Sequence, residues 1–291
     1  MLCDTKRHQY GQCNRENYGK AHEDNCDGLS AKLKDLHSAI IDQNHIFWKV
    51  INMFVLILGL GRTGRHLSAL LKNQGHQVAG TTTRADPELA KTGVIPIIWT
   101  SELGTQALPD ADCIVCAFPP NDFYPVQLAA LVMRYPNKRI IQISSTGVFG
   151  ANQGELDEST HPIANSPRSQ LLLEAEAEIL KHPTGQIVRA GGLYDEENHP
   201  ISFLAGKKEI KNPLGKINLI HRQDLAEIIF DLIVSNQEHK ITHAVNPDHP
   251  TREEYYLKKA KELDLATPEF EELTSESKEV KTRLQRQWRK L

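Results

Sequence analysis

Residues 54–71 read FVLILGLGRTGRHLSALL, and this stretch restricts the fold more than any other. Phe54–Leu58 is a five-residue apolar run, the length of a strand buried on both faces. Gly59-Leu60-Gly61-Arg62-Thr63-Gly64 follows as G-x-G-x-x-G, and Leu67, Leu70 and Leu71 then share one helical face. The sequence NQGH stops that helix with Gly75 at its carboxyl end, and QVAGTT supplies the next strand. Gly59 allows a tight turn, Gly61 lets a pyrophosphate approach the backbone, and Gly64 lets helix and sheet pack closely. The helix start at Arg62 and Thr63 adds free N–H groups and a partial positive charge. A bare glycine turn shares this spacing, but a strand before it and a helix after it select the dinucleotide reading.

The choice of dinucleotide is read about 20 residues further on, where enzymes using NAD place an acid on the ribose hydroxyls. Here the strand ends in Thr82-Thr83-Arg84 without a carboxylate. Arg84 is placed to meet a 2′-phosphate, so NADP is preferred and NAD is the second choice. Asp86 precedes Pro87 and reads as a helix N-cap.

Strands and helices go on alternating. GVIPIIW and DCIVCAF are strands, the latter leading into Phe118 and Pro119; PVQLAALVMRY is a helix and KRIIQISS a strand ending at Ser144 and Ser145. RSQLLLEAEAEIL and GQIVRAGGLY continue the pattern. This order implies an α/β fold, a Rossmann-type doubly wound parallel sheet with ligands at the carboxyl ends of its strands. Phe118, Pro119 and Ser144 join the glycine loop, Thr82, Thr83 and Arg84 as expected cofactor contacts. After Tyr194 the alternation weakens. The expected organisation is a polar, poorly ordered extension over 1–52, a dinucleotide-binding domain over 53–200, and a small substrate lobe with a tail over 201–291, some elements of which return to the sheet. Met53 directly precedes the first strand; either it is the native start or residues 1–52 are a dispensable extension, and their removal is expected to leave cofactor affinity intact.

The totals exclude several classes. A formal net charge of -3 gives no electrostatic case for nucleic acid. The basic RLQRQWRKL ending reads as a solvated helix end or frayed tail. No apolar run reaches the roughly 20 residues of a membrane span, so no membrane is expected and the location is read as cytoplasmic. Cys3, Cys13, Cys26, His8 and His22 match no paired-ligand zinc spacing, and no metal site is expected. Cys113 and Cys116 form C-x-x-C within a strand, where residues three apart face opposite sides, so their role is structural.

Beyond the glycine loop, ISSTGVFG at 143–150 resembles the S-S-x-x-V-Y-G signature of extended short-chain dehydrogenases/reductases, the epimerase/dehydratase group. VRAGGLY, INLIHRQDLAEII and HAVNPDHPTREEYY resemble further elements of that family, over about residues 54–265. The G-x-G-x-x-G opening is similar to its atypical YeeZ-like branch. The resemblance implies a catalytic serine, tyrosine and lysine. Ser145 takes the serine position, either orienting a reacting oxygen or capping the strand end. Ser166 and Gln170 fall where the tyrosine and lysine belong, and neither moves a proton near pH 7. Arg168 is a nearby cation, and Phe149 replaces the signature's tyrosine. His221, His161, Glu158 and Tyr194 are the remaining candidates. His221 has the most suitable intrinsic pKa but is read as structural beside Asp224, Glu158 as part of a solvated loop, and Tyr194 as packed under the lobe. The resemblance implies a dinucleotide, a small-molecule substrate of nucleotide-sugar type, and a homodimer formed through the 170–180 helix. Two functions follow: an atypical oxidoreductase or epimerase, or a non-catalytic NADP-binding sensor.

Overall fold

The computed structural model describes residues 52–100, 103–235, 239–271 and 277–291. The expectations for residues 1–51, among them the cysteine–histidine group, lie outside the described residues. The large sheet has seven parallel strands: β1 (Phe54–Leu58), β2 (Gln77–Thr82), β3 (Ile95–Ile98), β4 (Cys113–Cys116), β5 (Arg139–Ser145), β7 (Gly185–Ala190) and β10 (Ile241–Ala244). Their order is β10-β7-β5-β4-β1-β2-β3. Strand order reverses at β1, which pairs with β2 on one side and β4 on the other, so a crevice opens there beyond the strand ends.

The helices lie where their apolar stripes require. Helix α1 (Arg62–Asn73) buries Gly64, Leu67 and Leu71, and Gly75, at φ +86°, ends it. Helix α2 (Pro87–Lys91) is short and capped by Asp86, which accepts from the Glu88 amide as its sequence implies. Helices α3 (Tyr124–Arg134) and α4 (Pro167–Leu180) lie side by side. Helix α5 (Arg222–Val234) packs along α1. One apolar core runs from Leu56 and Ile114 on the central strands to Leu128, Leu172 and Ile179 on α3 and α4. Cys113 and Cys116 are wholly buried on β4, and burial pushes the Cys113 thiol up to about 12, so neither is poised as a nucleophile.

A second, smaller core joins β8 (Gly192–Tyr194), β9 (Leu219–His221) and α6 (Arg252–Glu262) through Tyr194, Ile201, Leu219, Tyr255 and Tyr256. Leu291 packs against it.

The ending differs from the solvated helix or frayed tail that its basic composition implies. Residues 278–280 form β11, pairing in parallel with β6 (Gly154–Leu156). Beyond it the chain is bonded at nearly every step. Arg283 pairs with Glu158 at 3.3 Å, Arg286 with Glu227, and Arg289 with Asp224 and, at 2.9 Å, with Glu227. Asn246 Nδ2 donates to the Arg289 carbonyl at 2.8 Å. The basic run is a strap complementary to the acids of α5, a partner that local sequence does not display. Glu158 is likewise not in a solvated loop. Its side chain is 4% exposed and accepts from the amides of His243 (3.3 Å) and Arg283 (3.1 Å).

Candidate dinucleotide-binding site

Strand β1 delivers the chain to Gly59 at φ +103°, where a Cβ would stand 2.7 Å from the Phe118 backbone nitrogen. A Cβ on Gly64 would lie 2.2 Å from the Gly59 carbonyl oxygen. These two glycines are required by packing alone. Gly61 is different: a Cβ there meets nothing within 4 Å. The loop is tied to β2 by Gly59 N donating to Thr81 Oγ1 (2.9 Å) and Leu60 N donating to the Thr81 carbonyl (2.8 Å). The first turn of α1 has no side-chain cap and no acid. Its first intrahelical bond is Arg65 N to the Gly61 carbonyl, so the amides of Arg62, Thr63 and Gly64 find no acceptor among the described residues.

Beside this turn lies a cavity of about 620 Å³ at the carboxyl ends of β1, β2 and β4. It brings together Gly59, Gly61, Thr82, Thr83, Arg84, Phe118 and Pro119 from the sequence reading. Trp99 and Phe118 form an aromatic wall, ring centroids 5.9 Å apart, with Trp99 Nε1 donating to the Gly104 carbonyl. Arg65 and Asp86, also lining it, form an ion pair; the Arg65 hydrogen bond, ahead of other causes, holds the Asp86 carboxyl below its usual range. Arg84 is exposed and has no hydrogen bond or ion pair among the described residues. Arg62, Thr63, Gly64, Ser144 and Ser145 lie outside the cavity wall.

No protein-family model matches the chain. Protein YeeZ of Escherichia coli strain K12 is 33% identical to it over 238 residues, 74% of this chain and 86% of YeeZ. The chain belongs to the same family as YeeZ. Solved structures share the fold. A functionally unknown conserved protein from Silicibacter pomeroyi superposes with a TM-score of 0.66 at 21% identity, covering 79% of this chain and 90% of that one. A putative NAD-dependent epimerase/dehydratase from Methylobacillus flagellatus gives 0.62 at 23% identity, covering 80% and 90%. UDP-glucuronic acid 4-epimerase from Bacillus cereus, in complex with NAD, gives 0.66 at 17% identity, covering 79% and 88%.

Within this YeeZ-like chain the far end of the crevice is built from committed groups. Ser145 Oγ accepts from the Gly147 amide at 3.0 Å, which leaves its own O–H free to donate. Ser144 is buried and donates to Glu176 at 2.6 Å, and Glu176 in turn pairs with buried Arg189 at 2.8 Å. Ser166 is the N-cap of α4, in a capping box with Ser169. Gln170 donates to Glu174 at 3.1 Å. His221 has both ring nitrogens engaged: Nδ1 accepts from the Gln223 amide at 3.2 Å, so Nε2 carries the proton and donates to Glu196, also at 3.2 Å. His221, not Asp224, caps α5. Tyr194 is pushed up to about 12 by burial, and its hydroxyl donates to the Lys290 carbonyl at 3.2 Å. His161 is exposed, with its carbonyl accepting from Asn152.

Sequence reasoning missed Arg65, Trp99, Asn121 and Gln127 on the cavity wall, and the Glu176–Arg189 pair. The pair had a signal. Glu176 interrupts the apolar stripe Leu172, Ala175, Ile179 of α4, and an acid inside such a stripe needs a buried cation.

Proposed function

We propose that this chain binds a nicotinamide dinucleotide in the crevice, NADP(H) ahead of NAD(H), as an atypical oxidoreductase or epimerase. The observation that carries the reading is the acid-free first turn of α1, with its free amides and the open space at Gly61, beside a cavity of about 620 Å³. Those features fit a diphosphate at the turn and an adenosine against Trp99 and Phe118. Arg84, unpaired among the described residues, is the group for a 2′-phosphate, and Arg65 already neutralises Asp86. The bound dinucleotide supplies a hydride donor or acceptor. Ser145 then offers its free O–H to the reacting oxygen of a small substrate. A nucleotide sugar is the favoured class, since a fold neighbour, MoeE5, was solved with UDP-glucuronic acid and NAD.

One observation favours a second reading, a non-catalytic NADP(H) sensor: Ser166 and Gln170 are fixed within α4 and leave no proton-transfer pair there. Titration with NADPH and NADH, followed by turnover assays on nucleotide sugars and simple ketones, separates the two. Binding without turnover across the panel selects the sensor, and no binding removes both. Arg84→Ala is expected to weaken NADPH about tenfold and leave NADH unchanged. Equal loss of both would overturn the preference.

A further inference from the structure

Two arginines stand at the first turn of α1 with chemistry that the packing does not call for. Arg222 opens α5 and directs Nη1 to Thr63 Oγ1 at 3.2 Å, while its Nε donates to Asp195 Oδ2 at 2.6 Å. The Arg222 and Asp195 side chains are 10% and 8% exposed. Arg62 Nη1 donates to Asn198 Oδ1 at 2.6 Å, and the Asn198 amide donates to Asp195 Oδ1 at 2.7 Å. These bonds clasp the glycine loop to the turn that follows β8. Arg62 and Arg222 are each the first residue of a helix, where the dipole disfavours a cation. Burying an ion pair such as Arg222–Asp195 also carries a desolvation cost that attraction does not reliably repay. Among the described residues Arg62 has only a neutral partner. Of the nearby acids, Glu196 is exposed and bonded to His221, Glu197 is exposed, and Asp224 is paired with Arg289. The buried Asp224 in the first turn of α5 is taken up by Arg289, so Asp195 is the one buried carboxylate left to the two guanidiniums, and positive potential is left over beside the free amides.

We propose that Arg222, aimed by Asp195, is a diphosphate-facing cation of the dinucleotide site, acting with Arg62 from the side opposite the adenosine cavity. The proposal rests on the dinucleotide reading above and adds to it a residue contributed from outside the glycine motif. It also makes the β8 turn part of the cofactor cradle, so that ordering of the second lobe and cofactor affinity are coupled through one side chain.

The test uses the full chain and two probes: NADPH, and 2′-AMP, which has the adenosine and 2′-phosphate but no diphosphate. Arg222→Gln alone would leave Asp195 buried and unpaired, so the main variant is Asp195→Asn/Arg222→Gln, which removes both charges together. Arg222→Lys is the charge-retaining control, and circular dichroism checks folding. The double variant is expected to lose NADPH affinity by about tenfold or more while 2′-AMP binding is unchanged. Its NADPH affinity should also depend less on ionic strength, and Arg222→Lys should fall between it and the native chain. Unchanged NADPH affinity, or parallel loss of both probes, overturns the proposal. A native chain that binds neither probe overturns the dinucleotide reading itself, a result visible before any variant is made.

Discussion

At the β1–β2 end of the sheet's carboxyl edge, donors lack acceptors among the described residues: the amides of Arg62, Thr63 and Gly64, and the Arg84 guanidinium. At the β5–β7 end, Ser144, Ser166, Gln170, Glu176 and Arg189 are each bonded to a neighbouring side chain or to backbone, although the buried Nη1 of Arg189 has no partner among the described residues. The same edge of one sheet thus carries both conditions. A segment that only supports the fold satisfies its own polar groups, because an unmet donor in a protected place costs free energy. A ligand site holds donors in reserve at a place where water serves until the ligand arrives. On the dinucleotide reading proposed above, the first end binds and the second supports the fold, with Ser145 at the boundary: its oxygen accepts from Gly147 while its proton remains available.

The largest effect that would break this contrast is expected at Glu176. Glu176→Ala leaves Arg189 buried with no carboxylate beside it. It should cost about 3–5 kcal/mol in chemical denaturation, with NADPH affinity of the folded protein unchanged. A stable variant with weakened binding would instead move this network into the site. Gly61→Asp gives the complementary result. Gly61 is already the N-cap of α1 at φ -70°, with nothing near a new side chain. Asp is a favourable N-cap and suits the dipole, so stability should hold or rise. The same carboxylate takes the amides and repels a diphosphate, and NADPH affinity should fall about a hundredfold, near 2.7 kcal/mol. Retained affinity would empty the binding end of its meaning.

How much of this was legible follows from the range of the interactions involved. The glycine loop, the Asp86 cap and the buried cysteine strand depend on neighbours within a few residues, so local spacing revealed them. The strap did not show, because Arg286 and Arg289 look like any solvated basic run until α5 presents Glu227 and Asp224 more than fifty residues away. Glu158 misled for the same reason: its partners are Arg283 and the His243 amide. Trp99 lay in a strand reading with nothing to say that it faces Phe118. On the cavity wall, the glycine loop, Thr82, Thr83, Arg84, Phe118 and Pro119 were readable from the ends of predicted strands, and the contacts that Asn198 and Arg222 bring to the first turn of α1 from after β8 and from α5 were not.

The strap gives a smaller, pH-dependent test. Burial raises the Glu227 carboxyl, but bonds and charges from Arg289 and Arg286 outweigh it, and the group rests below its ordinary range. A carboxyl depressed on folding contributes stability above its unfolded pKa, near 4.3, and loses that contribution as pH falls through the lower folded value. Thermal unfolding from pH 7 to pH 3 should therefore show Glu227→Gln less stable by about 2 kcal/mol at neutral pH and converging on the native chain in acid. Parallel curves would mean that Glu227 adds nothing to a strap held by Asp224, Glu158, Leu291 and backbone bonds.

The smallest effect falls on Ser166, the residue at the position where the sequence resemblance implies a tyrosine. Ser166 accepts from the Ser169 amide and Ser169 Oγ accepts from the Ser166 amide, so both hydroxyls serve the first turn of α4. Ser166→Ala should cost about 1 kcal/mol in thermal or chemical unfolding, the ordinary worth of an N-cap. It should leave NADPH affinity, and any turnover found, unchanged. Because the structural cost is modest, the readout is clean: a rate that drops with Ser166→Ala while the unfolding midpoint barely moves would place this hydroxyl in the reaction. The β5–β7 end would then have to be read as a working site, with α4 turning its first residues toward the substrate.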